Sequence, residues 1–251
     1  VTARRAELAA NRAAVLDRIA AAARQAGRDP ADVTLIAITK TFPASDVIDL
    51  ADLGQVDVGE NRDQEAAGKA DEVAAAASDH PAVRDLRWHF VGQLQRNKVA
   101  SVVRYADVVH SVDRVRLVSA LDTAAQRHRD RPLDVLLQVD LRGLVPATEP
   151  AASIGERGGV APADVPALAE AVAATSTLRL AGVMAVAPLG ADSAAAFAEL
   201  AAVSARLRSV YPEAGIISAG MSGDAEAAIT YGATHVRIGT ALLGGRSASF
   251  M

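Results

Sequence analysis

The stretch VTLIAITKTF, residues 33–42, is a run of apolar and β-branched residues that ends in a lysine. Val, Ile and Thr favour extended backbone. A continuous apolar run of this length reads as a strand covered on both faces, as in a parallel sheet. Lysine is among the side chains least often buried, and no acid stands next to Lys40 to pair with it. The position reads either as a rim residue whose stem lies along the sheet while its ammonium stays wet, or as an amine placed there for chemistry.

Seven further segments of the same character follow: 56–58, 86–91, 107–111, 133–141, 178–186, 215–219 and 234–238. Ala-rich, helix-compatible stretches separate them, among them 62–77, 113–129, 163–176 and 191–210. Strand–helix alternation implies right-handed βαβ units and a parallel sheet. Eight repeats in 251 residues predict an α/β fold, a single (β/α)8 TIM-type barrel spanning 1–251. A doubly wound open sheet is the alternative. Upstream, Leu8, Val15, Ile19 and Ala26 fall on one stripe, predicting an extra N-terminal amphipathic helix that stops at Gly27. The tract 142–162 is rich in Gly and Pro without apolar period, and reads as an irregular loop after the fifth strand, with a domain linker as the other reading.

Hydrophobic residues make up 51% of the chain and aromatics only 3%, so Ala, Val and Leu must fill the core. The net charge of −4 argues against a nucleic-acid surface, and the basic LQRNK at 94–98 reads as a solvated helix start. The absence of cysteine excludes disulfides, thiolate metal sites and cysteine nucleophiles. No apolar run reaches the roughly 18 residues that span a bilayer. Acids at Glu7 and Asp17 among the N-terminal arginines argue against a transit peptide, leaving a cytoplasmic protein as the expectation. Histidines 80, 89, 110, 128 and 235 show no metal-ligand spacing. His89 and His110 read as hydrogen-bonded groups in or near the core. Neither a Gly-x-Ser-x-Gly elbow nor a Walker A loop occurs.

Strand parity assigns faces. Val236 and Ile238 share one face and belong against the helices, so Arg237 points toward the barrel axis. Val56 and Val58 form the helix-facing set of the second strand, and Asn61 continues the parity of Asp57 and Gly59. Lys40 shares parity with Ile36 and Ile38, which places it at the rim above the interior. Active sites of such barrels lie at the strand C-terminal ends, where Lys40, Asn61, Arg237, Gly239 and the segment SAGMSGD at 218–224 all fall. In that segment Gly220 and Gly223 permit tight turns and close backbone approach, with Ser218, Met221 and Ser222 beside them. Ser222 is a candidate N-cap, Asp224 and Glu226 stand in the first turn of the next helix, and Gly232 ends it. With Gly239-Thr240 after the last strand, two adjacent loops offer donors to a phosphate. Taken alone, these glycines also suit ordinary βα turns. Glu60 reads as an acid or base, or as a cap for the following helix.

An amine and a phosphate cradle in one barrel mouth suit pyridoxal 5'-phosphate: phosphate on the loops, aldehyde on Lys40 as a Schiff base, ring nitrogen toward Arg237. At this point the chain resembles a known family, the pyridoxal phosphate homeostasis proteins, whose barrel is similar to the N-terminal domain of alanine racemase. LIAITKTFPASDV (35–47), VGENRDQEAAGKADEV (58–73), WHFVGQLQRNK (88–98), LAGVMAVAP (180–188) and MSGDAEAAITYGATHVRIGTALLG (221–244) carry the likeness. The resemblance implies that Lys40 is the cofactor lysine, that Arg237 approaches the pyridine nitrogen, and that Ser218, Ser222, Gly239 and Thr240 surround the phosphate. It further implies that Asn61, His89 and Met184 line the ring pocket. One departure stands out: family members often carry Lys-x-Gly after the fifth strand, where this chain has GERGGV in a longer loop.

A guanidinium only donates hydrogen bonds, so beside the ring nitrogen it disfavours a protonated ring and weakens the electron sink. Two-sided proton transfer would also need a base opposite Lys40. Alanine racemases take a tyrosine from a separate domain, for which no segment is found here, and Tyr105, Tyr211 and Tyr231 fall in predicted helices or helix ends. The expectation is a monomeric protein that stores, buffers or delivers the cofactor in vitamin B6 and amino-acid homeostasis, with apo-enzymes as recipients. A pyridoxal-phosphate enzyme with weak amino-acid racemase activity is the alternative, and a cofactor-free Schiff-base aldolase, which would be colourless, is a third reading.

Overall fold

The computed structural model describes residues 2–145 and 158–245. Its strands are β1 (Thr34–Ile38), β2 (Asp57–Glu60), β3 (Arg87–Phe90), β4 (Val108–Val112), β5 (Leu133–Gln138), β6 (Leu178–Met184), β7 (Ile216–Ser218) and β8 (His235–Ile238). All eight pair in parallel in chain order, and β8 returns to β1 through Ile36↔Arg237 and Ala37↔Ile238, which closes the barrel. Closure excludes the doubly wound alternative, since an open sheet leaves two unpaired edges.

Helices α1 (Ala3–Gln25), α2 (Ala44–Asp52), α3 (Asp63–Ala75), α4 (Val99–Tyr105), α5 (Val115–His128), α6 (Val165–Ala173), α7 (Ser193–Val210), α8 (Ala225–Thr230) and α9 (Thr240–Leu243) complete the described residues. The extra helix α1 starts at Thr2, whose hydroxyl accepts from Arg5 N at 3.2 Å, and its exit turns on Gly27 at φ 69°. It buries Leu8, Val15, Ile19, Ala22 and Ala23. Ala26, expected on that stripe, is only half-buried, because the helix has already ended. The α1 helix lies against α2, α8 and α9, where Arg4 Nη2 reaches Asp46 Oδ2 at 2.6 Å and Leu243 O at 3.0 Å.

Two apolar layers separate the strands from the helices, one around Phe90, Leu121, Leu137 and Leu200, the other around Leu8, Leu50, Trp88 and Val236. Full burial of each Leu or Phe contributes about 1.5–3 kcal/mol. A smaller cluster, Val108, Leu136, Ala181 and Met184, fills part of the barrel interior. It depends on a bulge in β6, where Val135 faces Leu180 but the next residue, Leu136, faces Gly182. The extra residue reverses the alternation, so Met184 turns inward and Val183 joins the outer layer.

The 142–162 tract is described only at its ends. Residues 158–160 run beside the end of β5, with Val160 N donating to Gln138 O at 2.8 Å and Asp140 N to Val160 O at 2.9 Å. The expectation for 146–157, including the first three residues of GERGGV, lies outside the described residues.

Candidate functional site

A closed parallel barrel gathers every strand's C-terminal end on one rim. Lys40 stands there, two residues beyond β1, half-buried, with no hydrogen bond or ion pair among the described residues. The next residue, Thr41, has φ 68°, a left-handed conformation that costs a non-glycine residue about 1–3 kcal/mol. A buried network holds this turn. Lys69 Nζ, on α3, donates to Thr39 O at 2.8 Å, to Glu60 Oε1 at 2.6 Å and to Glu65 Oε1 at 3.1 Å. Thr39 Oγ1 donates to Glu60 Oε1 at 2.7 Å, and Thr41 N donates to Glu65 Oε1. Glu60 is therefore a buried ion-pair partner on the helix-facing side of β2. This corrects the capping reading of it: it caps no helix, and its Oε1 is engaged by Lys69 of α3. Burial pushes its carboxyl above the usual range, and Lys69 offsets that only in part.

Asn61 follows β2, and its side-chain oxygen Oδ1 is buried without a hydrogen-bond partner. Ser218 ends β7, fully enclosed, and its hydroxyl oxygen accepts from Arg237 Nη1 at 2.8 Å. Gly220 has φ 88°, and a Cβ there would lie 2.7 Å from Ala228 Cβ, so both the conformation and the space require glycine. Its carbonyl accepts from Arg237 N at 2.9 Å, which ties this loop to β8. Met221 is exposed, and its N–H donates to Asp224 Oδ1 at 2.6 Å. Two expectations for this loop need correction. Gly223 has open space around it and no positive φ, so it meets no steric demand. Ser222 does not cap α8; Asp224 holds the N-cap position and spends its carboxylate on the Met221 turn. Gly232, at φ 91°, does follow the helix end as expected. β8 stops at Ile238, and Gly239 with Thr240 opens the short α9, with Thr240 exposed.

Arg237 points inward, as its parity requires. Its guanidinium is held by Ser218 Oγ and by Ala185 O, the latter at 2.9 Å from Nη2, with no carboxylate within salt-bridge reach among the described residues. Burial pushes its pKa down to about 10, against the raising influence of Asp224, so it stays charged at neutral pH. His89 and Met184, expected beside the cofactor ring, are both enclosed within the barrel. His89 Nε2 meets Asp57 Oδ1 at 2.8 Å, its Nδ1 meets His110 Nε2 at 2.8 Å, and His110 Nδ1 meets Ser218 Oγ at 3.0 Å. A polar chain thus runs through the interior from Asp57 to Arg237. The sequence marked His89 and His110 as hydrogen-bonded core groups, but gave no sign that they meet each other.

Helices return antiparallel to the strands, so their C-terminal ends lie at the opposite rim. Tyr105 ends α4, and Tyr211 and Tyr231 are the C-caps of α7 and α8. Tyr211 and Tyr231 thus stand at the rim away from Lys40, whereas Tyr105 has the carboxylates of Asp63 and Glu60 close enough to act on its buried hydroxyl. A cavity of about 610 Å³ opens at that same opposite rim, lined in part by Arg87, Arg129, Arg131 and Arg179. Most of these are already engaged, Arg179 by Asp134, Arg131 by Asp107, and Arg129 by the carbonyls of Val103 and Ala106. No group of His, Asp or Glu among the described residues could hold a metal ion.

The family model for the alanine racemase N-terminal domain matches residues 10–247. The chain belongs to the alanine racemase N-terminal domain family. Within it, the chain is 43% identical over 255 residues to the pyridoxal phosphate homeostasis protein of Mycobacterium tuberculosis, covering 97% of this chain and 94% of that protein. Among solved structures it superposes on a Bifidobacterium adolescentis protein of unknown function with a TM-score of 0.84 at 30% identity, covering 96% of each chain. It also superposes on PipY of Synechococcus elongatus with pyridoxal phosphate bound, with a TM-score of 0.71 at 34% identity, covering 90% of this chain and all of that one.

Proposed function

We propose that this protein binds pyridoxal 5'-phosphate at the C-terminal rim of the barrel and serves in the homeostasis of that cofactor, storing, buffering or delivering it without turning over amino acids. The observation that carries the reading is the pairing of a buried, permanently charged Arg237 with an unengaged Lys40 on one rim, in a chain alike over nearly its whole length to proteins of that name. When bound, the cofactor brings an aldehyde, a ring nitrogen and a dianionic phosphate.

The donor set suits each of the three. Lys40 offers the amine for the covalent link, held in place by the Glu60–Lys69–Glu65 network behind it. Arg237 faces the ring nitrogen as a donor that cannot give up its proton at neutral pH. Gly220, Ser222, Gly239 and Thr240 supply hydroxyls and backbone N–H groups to the phosphate, while Ser218 and Met221 shape the cradle, the hydroxyl of the first being engaged by His110 and Arg237 and the N–H of the second by Asp224. The orphaned Oδ1 of Asn61 is an acceptor awaiting a donor, which a ring hydroxyl would supply; His89 and Met184 support the pocket from within. Tyr211 and Tyr231 cap helix ends at the far rim and Tyr105 packs half-buried outside the barrel interior, which favours holding the cofactor over racemising an amino acid. Among the described residues no helix is long and apolar enough to cross a membrane. A cytoplasmic monomer that hands its cofactor to apo-enzymes fits this reading.

The test is an absorption spectrum of the purified protein before and after borohydride, with mass mapping. Visible absorbance lost on reduction, with the adduct on Lys40 and absent from Lys40→Ala, is the expected result. Lys40-dependent turnover of amino acids at about 1 per second or more, an ordinary enzymatic rate, would replace the carrier reading by the racemase one. A colourless protein with no adduct would remove both.

A further inference from the structure

The interior chain has a direction, and chemistry alone fixes it. The Asp57 carboxylate can only accept. Burial by itself would raise its pKa, but the hydrogen bond with His89 and the nearby Arg87 guanidinium hold it below the usual range. His89 Nε2 must therefore carry hydrogen and donate to it. With one proton on that ring, Nδ1 accepts, so His110 Nε2–H is the donor between the two rings. His110 Nδ1 is then a bare acceptor, and the only hydrogen able to reach it is the Ser218 hydroxyl proton. The Ser218 oxygen is left to accept from Arg237 Nη1, as the geometry shows. Every atom is used once, from guanidinium to carboxylate. His89, His110 and Ser218 are each no more than 1% exposed, so water does not compete within the chain.

One added proton reverses most of the chain. A doubly protonated His89 donates from Nδ1 to His110 Nε2, His110 then donates from Nδ1 to Ser218, and the serine hydrogen must turn elsewhere. Arg237 from β8, His235 from β8 with its ring centroid 6.2 Å from that of His89, and Arg87 from β3 oppose such a charge, while Asp57 from β2 favours it. Burial, reinforced by the Arg237 guanidinium, holds His110 well below the ordinary histidine range. With no added proton the chain runs one way, from the Arg237 guanidinium to the Asp57 carboxylate.

We propose that Asp57, His89 and His110 are positioning residues for the cofactor site, a one-way hydrogen-bond chain that fixes the Ser218 hydroxyl and, through it, the orientation in which Arg237 meets the ring nitrogen. This rests on the cofactor reading above. The three residues touch no ligand; they act by removing the freedom of Ser218 and, through it, of Arg237.

The polarity is measurable in the cofactor-free wild-type protein by nitrogen–proton correlation NMR of the histidine rings at pH 7.5. Both His89 and His110 are expected as neutral Nε2–H tautomers. In Asp57→Asn the acceptor-only end is lost, because an amide can donate to His89 Nε2. The expected result is a shift of His110 toward its Nδ1–H tautomer, a displaced absorbance maximum of the bound cofactor, and an affinity about tenfold weaker, the loss that goes with one hydrogen bond to a charged group. A wild-type ring found as Nδ1–H, or charged, would overturn the polarity whether or not the variant folds. Expected tautomers with an unchanged spectrum and affinity in a folded Asp57→Asn would overturn the positioning role. Failure of the cofactor reading looks different: a wild-type protein with these tautomers but no borohydride-fixable cofactor, an outcome that would also leave the chain nothing to position and so overturn the proposal.

Discussion

Lys69 decides how well the rim lysine is placed, although it never reaches the rim. Removing one member of a buried pair leaves the other charged and dry, which costs about 3–5 kcal/mol. Lys69→Met should destabilise the protein by that order and also lower the rate of borohydride labelling at Lys40, because the Thr39–Thr41 turn loses its anchor. The double variant Glu60→Met/Lys69→Met should recover much of the stability but not the labelling; recovery of both in denaturant melts and mass mapping would show that the network serves only stability. The two loop glycines give a contrast at the same scale. Gly220→Ala forces a Cβ into Ala228 at a positive φ and should cost about 1–3 kcal/mol, whereas Gly223→Ala should stay within about 0.5 kcal/mol, as surface changes do. Sequence alone could not separate them, since both stand in the same SAGMSGD motif and the difference lies in what packs behind each one. Lys40 and Arg237 were legible because parity and strand ends are local properties. The role of Glu60 was not, because its partner is nine residues away on the next helix and the pair meets only once that helix packs on the strand.

Among the elements, the eight strands were legible because apolar, β-branched runs bounded by helix-compatible stretches are a local signal. Helices α2 and α9 were not singled out; at nine and four residues they offer few turns for a periodic signal. The β6 bulge was also invisible. Strict alternation from Arg179, whose partner Asp134 lies at the inner N-terminal rim, would have turned Val183 inward and Met184 toward the helices. Gly182 makes the bulge feasible: its φ is 151°, and a Cβ would stand 2.0 Å from Ile216 O. Gly182→Ala should therefore be among the most damaging single changes, costing more than about 4 kcal/mol and lowering expression of soluble protein. A near-wild-type denaturation midpoint would show that β6 can regain regular alternation.

For the molecule as a whole, the buried histidines set its response to acid. Burial holds His235 down to about 4, and His110 is held well below its ordinary value. Unfolded histidine titrates near 6.5, so below that value the unfolded chain binds protons that the folded one refuses. Stability is full above pH 6.5 and falls as the pH drops toward the folded values, by at most about 1.4 kcal/mol per unit for each histidine. Asp57, held below the usual range, adds a further loss only as pH falls below about 3.9. Urea melts at pH 7, 6 and 5 should show a progressive drop; a flat profile would mean that both rings protonate freely in place. The barrel interior is thus polar along its axis, and that has a consequence for descent. A directional row of donors tolerates no isolated replacement by a hydrocarbon side chain, since each gap strands a neighbour's proton or lone pair. Across related barrels the residues at positions 57, 89, 110 and 218 should therefore be inherited or exchanged as a block, and a relative carrying three of them with an aliphatic fourth would be the rare case.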